Sequence, residues 1–446
     1  MRAALDRSTR PGTFRHGVHP PERKEATRAL AIERMPFVRE YVLPLSQHIG
    51  APSKAVVVAG QRVRRGEPIA EPTSFMSTAL HAPVTGRVRA VELRLHPSGK
   101  MMPAVVIETD PFDSQRLPEA APVDAAALTV AEMVERVQRG GLVGLGGAAF
   151  PTHVKFQVPE GRRIRFVLIN GCECEPYLTC DHRVMVERPE AALRGAEIIM
   201  AFVKAERGYV GIEANKPDAI AALRAVAPPS IEVVPLQVKY PQGAEKLLID
   251  AIFGEQVPVG GLPLDIGILV NNVGTTVALA DLFDRGIPLI DRVVTVTGPA
   301  VTRPRNLRVP IGTPLAAVIE HCGGLRSGVR QVVLGGPMMG FPQKSLDVPI
   351  LKGSSGVLCL DRAATVPLRE FPCIRCGRCV EACPIFLNPT RLAQLIRADR
   401  VEELEPHHLM SCFECGACSF VCPSRIPLVQ WMRVGKAMLR SAKAPP

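Results

Sequence analysis

The chain carries the stretch CIRCGRCVEACP at residues 373–384 and repeats its pattern as CFECGACSFVCP at residues 412–423. Each stretch has the spacing C-x2-C-x2-C-x3-C followed by proline, which is typical of segments that hold two [4Fe-4S] clusters. In such a pair, the first three thiolates of a run bind one cluster. The fourth thiolate, held apart by the turn before the proline, binds the other cluster.

This pattern predicts two ligand sets that exchange their fourth cysteines. The first set is Cys373, Cys376, Cys379 and Cys422, and the second set is Cys412, Cys415, Cys418 and Cys383. Structural zinc or disulfides are the alternative, but zinc sites typically use two spaced pairs of ligands rather than two quartets followed by proline. We therefore predict an electron-transfer protein with a helical, ferredoxin-like two-cluster domain at residues 361–446.

Composition indicates an intracellular globular protein. The 446 residues are 47% hydrophobic and 22% charged, which is enough for several domains with buried cores. Cluster thiolates and five further cysteines favour a reducing compartment, most simply the cytoplasm. The opening MRAALDRSTRPG does not have the apolar centre of a secretory signal, and no run of eighteen apolar residues predicts a membrane span.

The net charge of +11 is diffuse except near the C-terminus. Four tyrosines, one tryptophan and no helix-turn-helix pattern argue against nucleic acid as the partner. From Arg425 onward every charged residue is basic, and the apolar residues would share one side of a helix: Leu428, Trp431, Met432, Met438 and Leu439. Such a helix could lie on an anionic membrane or a partner protein, or it could pack over the cluster domain.

The N-terminal third predicts an extended arm at residues 1–34 and an all-β module at residues 35–110. The segments VRRGEPIAEP and APVTGRVRAV resemble the strand pairs of a lipoyl- or biotinyl-type sandwich. Carriers of that type present a lysine at a hairpin tip, whereas this tip carries Phe75, Met76, Ser77 and Thr78. We therefore expect a structural β sandwich without covalent modification, followed by a proline-rich linker.

Residues 125–285 alternate strand and helix patterns, which predicts a largely parallel sheet covered by helices. Ligands of such sheets bind beyond the carboxyl ends of the strands. Three segments fall there: GLVGLGGAAFPTHVKF at 141–156, NGCECEPY at 170–177 and GILVNNVGT at 267–275. Taken singly, the glycine loop could be a tight turn, the thiols of Cys172, Cys174 and Cys180 could be packing groups, and the Asn271 and Asn272 amides could satisfy a buried turn.

Together and in order, these segments resemble the FMN- and NADH-binding core of the complex I flavoprotein. That family has arginine and aspartate where this chain has Leu145 and Cys172. By this resemblance, the FMN-binding residues would be Gly144, Gly146, Lys155, Asn170, Glu173, Asn271 and Asn272. The NADH-binding residues would be Phe150, Glu175, Tyr240, Gly243 and Glu245. Residues 286–345 resemble the small β-grasp module that follows in the same family.

The β sandwich, the cluster runs and the segments HGVHPPERKEAT and LPLSQHIGAP extend the likeness. The whole chain resembles the RnfC proteins of the Rnf (Rsx) ion-translocating electron-transport complexes. That resemblance implies a peripheral protein of such a complex, on the cytoplasmic face of the bacterial inner membrane. It would pass electrons between NADH, FMN and the clusters to membrane and iron–sulfur partner subunits or ferredoxin. A cobalamin reductase-like protein and an electron relay that does not bind NADH are the alternatives.

Overall fold

The computed structural model describes residues 11–118, 120–365 and 369–443. The first ten residues of the predicted arm, and residues 366–368 and 444–446 of the predicted cluster domain, lie outside that description. The rest of the arm is extended and docked on the α/β core, with bridges from Gly12 to Leu236 and from Val18 to Tyr240. It ends in strand β1 (Ile32–Arg34).

The predicted β sandwich consists of two antiparallel sheets, ordered β2-β8-β7-β4 and β3-β5-β6. Its strands are β2 (Glu40–Pro44), β3 (Lys54–Ala55), β4 (Arg62–Val63), β5 (Pro68–Glu71), β6 (Leu80–His81), β7 (Gly86–Leu95) and β8 (Met101–Thr109). Apolar side chains that alternate along the long strands, such as Val88, Val105 and Ile107, are fully buried between the sheets.

The tip that carries Phe75 to Thr78 is docked on the α/β core. Gln138 donates from Nε2 to the Ser77 carbonyl at 3.0 Å. The buried Lys352 donates from Nζ to the carbonyls of Ala79 at 2.8 Å and Gly141 at 2.6 Å. Burial lowers the pKa of Lys352 to about 7. These contacts fix the sandwich to the rest of the molecule, as a structural module requires.

The α/β core holds a four-stranded, all-parallel sheet ordered β11-β10-β9-β12. Its elements are α1 (Val130–Arg139), β9 (Phe166–Asn170), α2 (Cys180–Glu187), α3 (Pro189–Val203), β10 (Arg207–Glu213), α4 (Pro217–Val226), β11 (Ile231–Leu236), α5 (Glu245–Phe253), β12 (Ile268–Asn272) and α6 (Val273–Arg285). Thr129 and Glu132 form a capping box at the start of α1. Helices α3 and α6 touch at Gly195, where a Cβ would lie 1.9 Å from the Thr276 carbonyl oxygen.

The next module is a six-stranded mixed sheet, ordered β1-β14-β13-β17-β15-β16. Its further elements are β13 (Asp291–Thr297), β14 (Arg305–Pro310), α7 (Leu315–His321), β15 (Val329–Leu334), β16 (Phe341–Gln343) and β17 (Gly356–Asp361). The predicted range 286–345 therefore leaves out two strands. β1 comes from the arm and β17 follows the range, and both join by long-range pairing that local sequence patterns do not reveal.

Residues 371–443 contain helices and turns, and no strand is found among them. The helices are α8 (Arg378–Glu381), α9 (Pro389–Arg397), α10 (Ala417–Phe420) and α11 (Leu428–Lys443). Helix α11 packs against α9, and its apolar residues Leu428, Met432 and Leu439 are buried. The apolar side of the basic C-terminal helix therefore covers the cluster domain, as the second of the two interpretations expected. Within the described ranges, no helix is long and apolar enough to cross a membrane.

Candidate functional site

Two cavities in the C-terminal domain gather the cysteines of the repeated pattern. We call the first the outer cavity; its cysteines are Cys373, Cys376, Cys379 and Cys422. We call the second the inner cavity; its cysteines are Cys383, Cys412, Cys415 and Cys418. The structure thus brings together the members of each set that the sequence predicts. In the part of the chain that is described, no three His, Cys, Asp or Glu side chains converge on a single-ion site; here the sulfurs line two separate spaces.

The two cysteine runs repeat each other's backbone. The amides of Arg375 and Glu414 each donate to the sulfur of the first cysteine of their run at 3.4 Å. Both residues have positive φ, 54° and 61°, and the glycines Gly377 and Gly416 that follow have φ of 77° and 80°. Amides that point at sulfur stabilise its negative charge, which is a recurring feature of iron–sulfur sites.

The surroundings of the two cavities differ strongly. Cys373 and Cys376 of the outer cavity are exposed, whereas Cys383 of the inner cavity is buried. The inner cavity also contacts the α/β core, because the Tyr240 hydroxyl donates to the Cys415 carbonyl at 2.6 Å. Burial raises the pKa of Cys415 to about 12. A thiolate at that position needs a positive charge beside it, which cluster iron would supply.

The three segments predicted to bind flavin meet at the carboxyl edge of the parallel sheet. Asn170 and Asn272 are register partners at the ends of β9 and β12. Lys155 donates from Nζ to the Val270 carbonyl at 2.8 Å and to Glu245 at 2.5 Å. Asn170 donates from Nδ2 to the Gly243 carbonyl at 2.8 Å. The sequence neighbourhoods of all three segments are therefore neighbours in space.

The glycine loop closes tightly over this edge. Its hydrogen bond from Gly144 N to the Phe150 carbonyl is 2.7 Å long. A Cβ on Gly146 would lie 3.5 Å from the Cβ of Asn272. Asn272 itself begins α6, since its Oδ1 accepts from Gly274 N at 2.8 Å. The loop and the helix start thus present backbone at close range, as a phosphate-bearing ligand requires.

Unpaired buried amides mark where a ligand fits. Asn271 is 3% exposed, and its Nδ2 has no hydrogen-bond partner. Gln242 is fully buried, and neither of its side-chain polar atoms has a partner. Buried amides are rarely left unpaired, so both fit a polar ligand such as the flavin ring. The sequence did not indicate Gln242; the only signal was its place between Tyr240 and Gly243.

Two predicted residues have structural partners of their own. The Glu173 carboxylate accepts from Asp181 N at 3.0 Å and His182 N at 3.2 Å, which stabilises the start of α2. Glu175 accepts from the amides of Met338 and Met339 at 3.0 and 2.8 Å. Burial raises the pKa of Glu175 to about 7.

The residues predicted for NADH therefore lie in two places. Phe150, Gly243 and Glu245 belong to the glycine loop or to the segment that contacts Lys155 and Asn170. Glu175 contacts the six-stranded sheet module, and Tyr240 contacts the inner cavity. This division has no signal in the local sequence, because both contacts are made with residues far along the chain.

Family models match four consecutive parts of the chain. They are described as an RnfC barrel sandwich hybrid domain (residues 12–111), a Nuo51 FMN-binding domain (137–281), an SLBB domain (293–342) and a 4Fe-4S dicluster domain (371–426). A full-length relative decides the family. The chain is 43% identical over 434 residues, 96% of its length, to the RnfC-type component of the "Proton-translocating ferredoxin:NAD(+) oxidoreductase complex" of Clostridium ljungdahlii, covering 94% of that protein.

The chain belongs to the RnfC family. A second relative is the corresponding component of the "Na(+)-translocating ferredoxin:NAD(+) oxidoreductase complex" of Acetobacterium woodii, at 42% identity over 95% of this chain and 96% of that protein. The family assignment made from sequence is confirmed, and so is the prediction that the protein is part of an oxidoreductase complex. The multidomain α/β architecture, with FMN-binding and 4Fe-4S domains, is confirmed at that level.

Solved structures support the fold alone. The NAD+-reducing [NiFe]-hydrogenase in its air-oxidized state is similar with a TM-score of 0.50 at 20% identity, over 73% of this chain and 64% of that one.

Proposed function

We propose that this RnfC protein passes electrons between NADH and partner redox proteins through FMN and two [4Fe-4S] clusters. The observation that carries the proposal is the exchange of Cys383 and Cys422 between the two cysteine cavities. Two clusters that each borrow a thiolate from the other run need this arrangement, whereas zinc does not. Each cluster would accept or release one electron.

FMN would lie at the carboxyl edge of the parallel sheet and convert a two-electron hydride into single electrons. Its binding residues would be Gly144, Gly146, Lys155, Asn170, Glu173, Asn271 and Asn272. The unpaired Asn271 amide supports this position, as does the Lys155 ammonium group beside the strand ends. Glu173 would act through the α2 start that it stabilises rather than through a free carboxylate.

NADH would be seated by Phe150, Glu175, Tyr240, Gly243 and Glu245. One observation favours a relay that does not bind NADH: both oxygens of Glu175 already accept amides of Met338 and Met339. Binding would have to replace those hydrogen bonds or leave Glu175 in its present role.

The order of the sites follows from their surroundings. The inner cavity contacts Tyr240 of the flavin core, so we infer that its cluster exchanges electrons with flavin. The outer cavity lies beside exposed side chains, among them Ile374 and Phe386, so its cluster would serve the partner. Membrane and iron–sulfur subunits or ferredoxin would be those partners, and the chain would sit peripherally on the cytoplasmic face. Ion movement would belong to the membrane subunits.

Anaerobic addition of NADH to purified, flavin-loaded protein tests the proposal. We expect bleaching of the flavin band followed by loss of cluster absorbance. Dithionite on the same sample is the control, because it reduces the clusters without NADH. If dithionite bleaches the bands and NADH does not, the chain is a relay. If neither reagent changes the cluster region, the iron–sulfur assignment is wrong.

A further inference from the structure

A cavity of about 960 Å³ lies where the β sandwich, the α/β core and the six-stranded sheet meet. Seven of its lining residues are arginine and three are aspartate. Asp281 pairs with Arg188 at 2.8 Å and with Arg285 at 3.6 Å, and Asp291 pairs with Arg65 at 2.9 Å. The third aspartate, Asp181, forms no ion pair with any described residue. The cavity therefore carries an excess of positive charge.

Four lining arginines form no ion pair among the described residues: Arg34, Arg116, Arg292 and Arg308. Arg292 is 4% exposed, and its guanidinium bonds only to neutral groups, the carbonyls of Ser354 and Leu145, each at 3.0 Å. A buried guanidinium without an ion-pair partner is costly unless an anion completes the site.

Two of these arginines are held side by side. Arg34 and Arg308 are register partners on the parallel strands β1 and β14. Register partners point to the same face of a sheet, and neighbouring strands are about 4.8 Å apart, so the two charges repel each other. Both residues line the cavity. An anion between them would turn this repulsion into attraction.

We propose that this cavity binds a ligand with two or more phosphate groups, separately from the flavin. Guanidinium groups match phosphate oxygens in a bidentate manner, which favours phosphate as the anion. Cations on several walls require more than one negative charge, which a single carboxylate does not supply. The volume suits a small organic ligand, since binding sites of that kind span roughly 300–1,000 Å³. The site is independent of the role proposed for FMN and the clusters.

Calorimetric titration of the anaerobic, FMN-loaded chain with pyrophosphate and with ADP tests the site. We compare the wild type with Arg34→Gln/Arg308→Gln, and use Arg39→Gln/Arg139→Gln as the control. The control removes the same charge from side chains that are 89% and 74% exposed and lie outside the cavity. We expect about tenfold weaker binding for each arginine removed from the cavity and an unchanged affinity in the control.

ADP that binds more tightly than pyrophosphate would identify a nucleoside ester as the source of the phosphates, and equal affinities would identify phosphate alone. The proposal is overturned if neither compound binds at millimolar concentration, or if both double variants bind equally well. Displacement of FMN by pyrophosphate also overturns it, because the cavity would then be part of the flavin site. If the Arg34/Arg308 variant does not retain flavin, Arg116→Gln, in the linker, replaces it in the same comparison.

Discussion

Replacing Cys422 with alanine tests which thiolates surround which cavity. Cys422 follows Cys418 by only four residues, yet it lies in the outer cavity with Cys373, whereas Cys418 lies in the inner one. If each cavity holds one cluster, wild-type protein contains about eight irons and Cys422→Ala about four. The matched variant Cys383→Ala should also retain about four, from the other cluster.

Double variants give this prediction its sharpest form. Cys422→Ala/Cys373→Ala changes two thiolates of one cavity, so its iron content should stay near that of the single variant, about four. Cys422→Ala/Cys412→Ala changes both cavities and should leave almost no iron. The assay is iron and acid-labile sulfide per polypeptide in anaerobically purified protein, with EPR after dithionite reduction. The reverse pattern, with iron lost in the first pair and kept in the second, would refute the exchange.

Three further predictions concern flavin, packing and pH. Lys155→Ala should weaken FMN binding about 10- to 100-fold through loss of a charge-assisted hydrogen bond, while Lys155→Arg keeps most of the flavin; normal flavin content in the alanine variant contradicts this. Gly416→Ala should lower the melting temperature more than Gly377→Ala, because φ is positive at both but only the Cβ at 416 would meet the Met338 carbonyl oxygen, at 2.7 Å; the shared backbone cost is about 1–2 kcal/mol. Since burial raises the pKa of Glu175 to about 7, the folded state binds the extra proton between its ordinary pKa of 4.5 and 7, and the stability from that proton is lost as the pH rises through about 7. Glu175→Gln should therefore flatten the fall in melting temperature between about pH 5 and 8, and an unchanged profile would contradict the shift.

Much of the arrangement could be predicted because it is written in local spacing. The cysteine runs predicted two exchanged sets, and each set lines one cavity. The parallel strands predicted that polar groups such as Asn170 and Asn272 would meet at one edge, because the carboxyl ends of parallel strands coincide.

Contacts between distant segments could not be predicted in this way. Strand β1 joins a sheet whose other members begin at Asp291, and Glu175 is held by amides of Met338 and Met339. The meeting of Arg34 with Arg308 likewise depends on strand register. Periodicity predicts which face of an element is buried, but it does not say which distant segment covers that face.

The unequal placement of the two repeated cysteine runs has an energetic consequence. An added electron makes a cluster more negative, and a site shielded from water disfavours additional charge more than an exposed one does. We therefore expect the inner cluster to have the lower reduction potential and an electron to reside preferentially on the outer one. A duplicated sequence motif would in this way produce a potential difference across the domain, set by what each copy packs against.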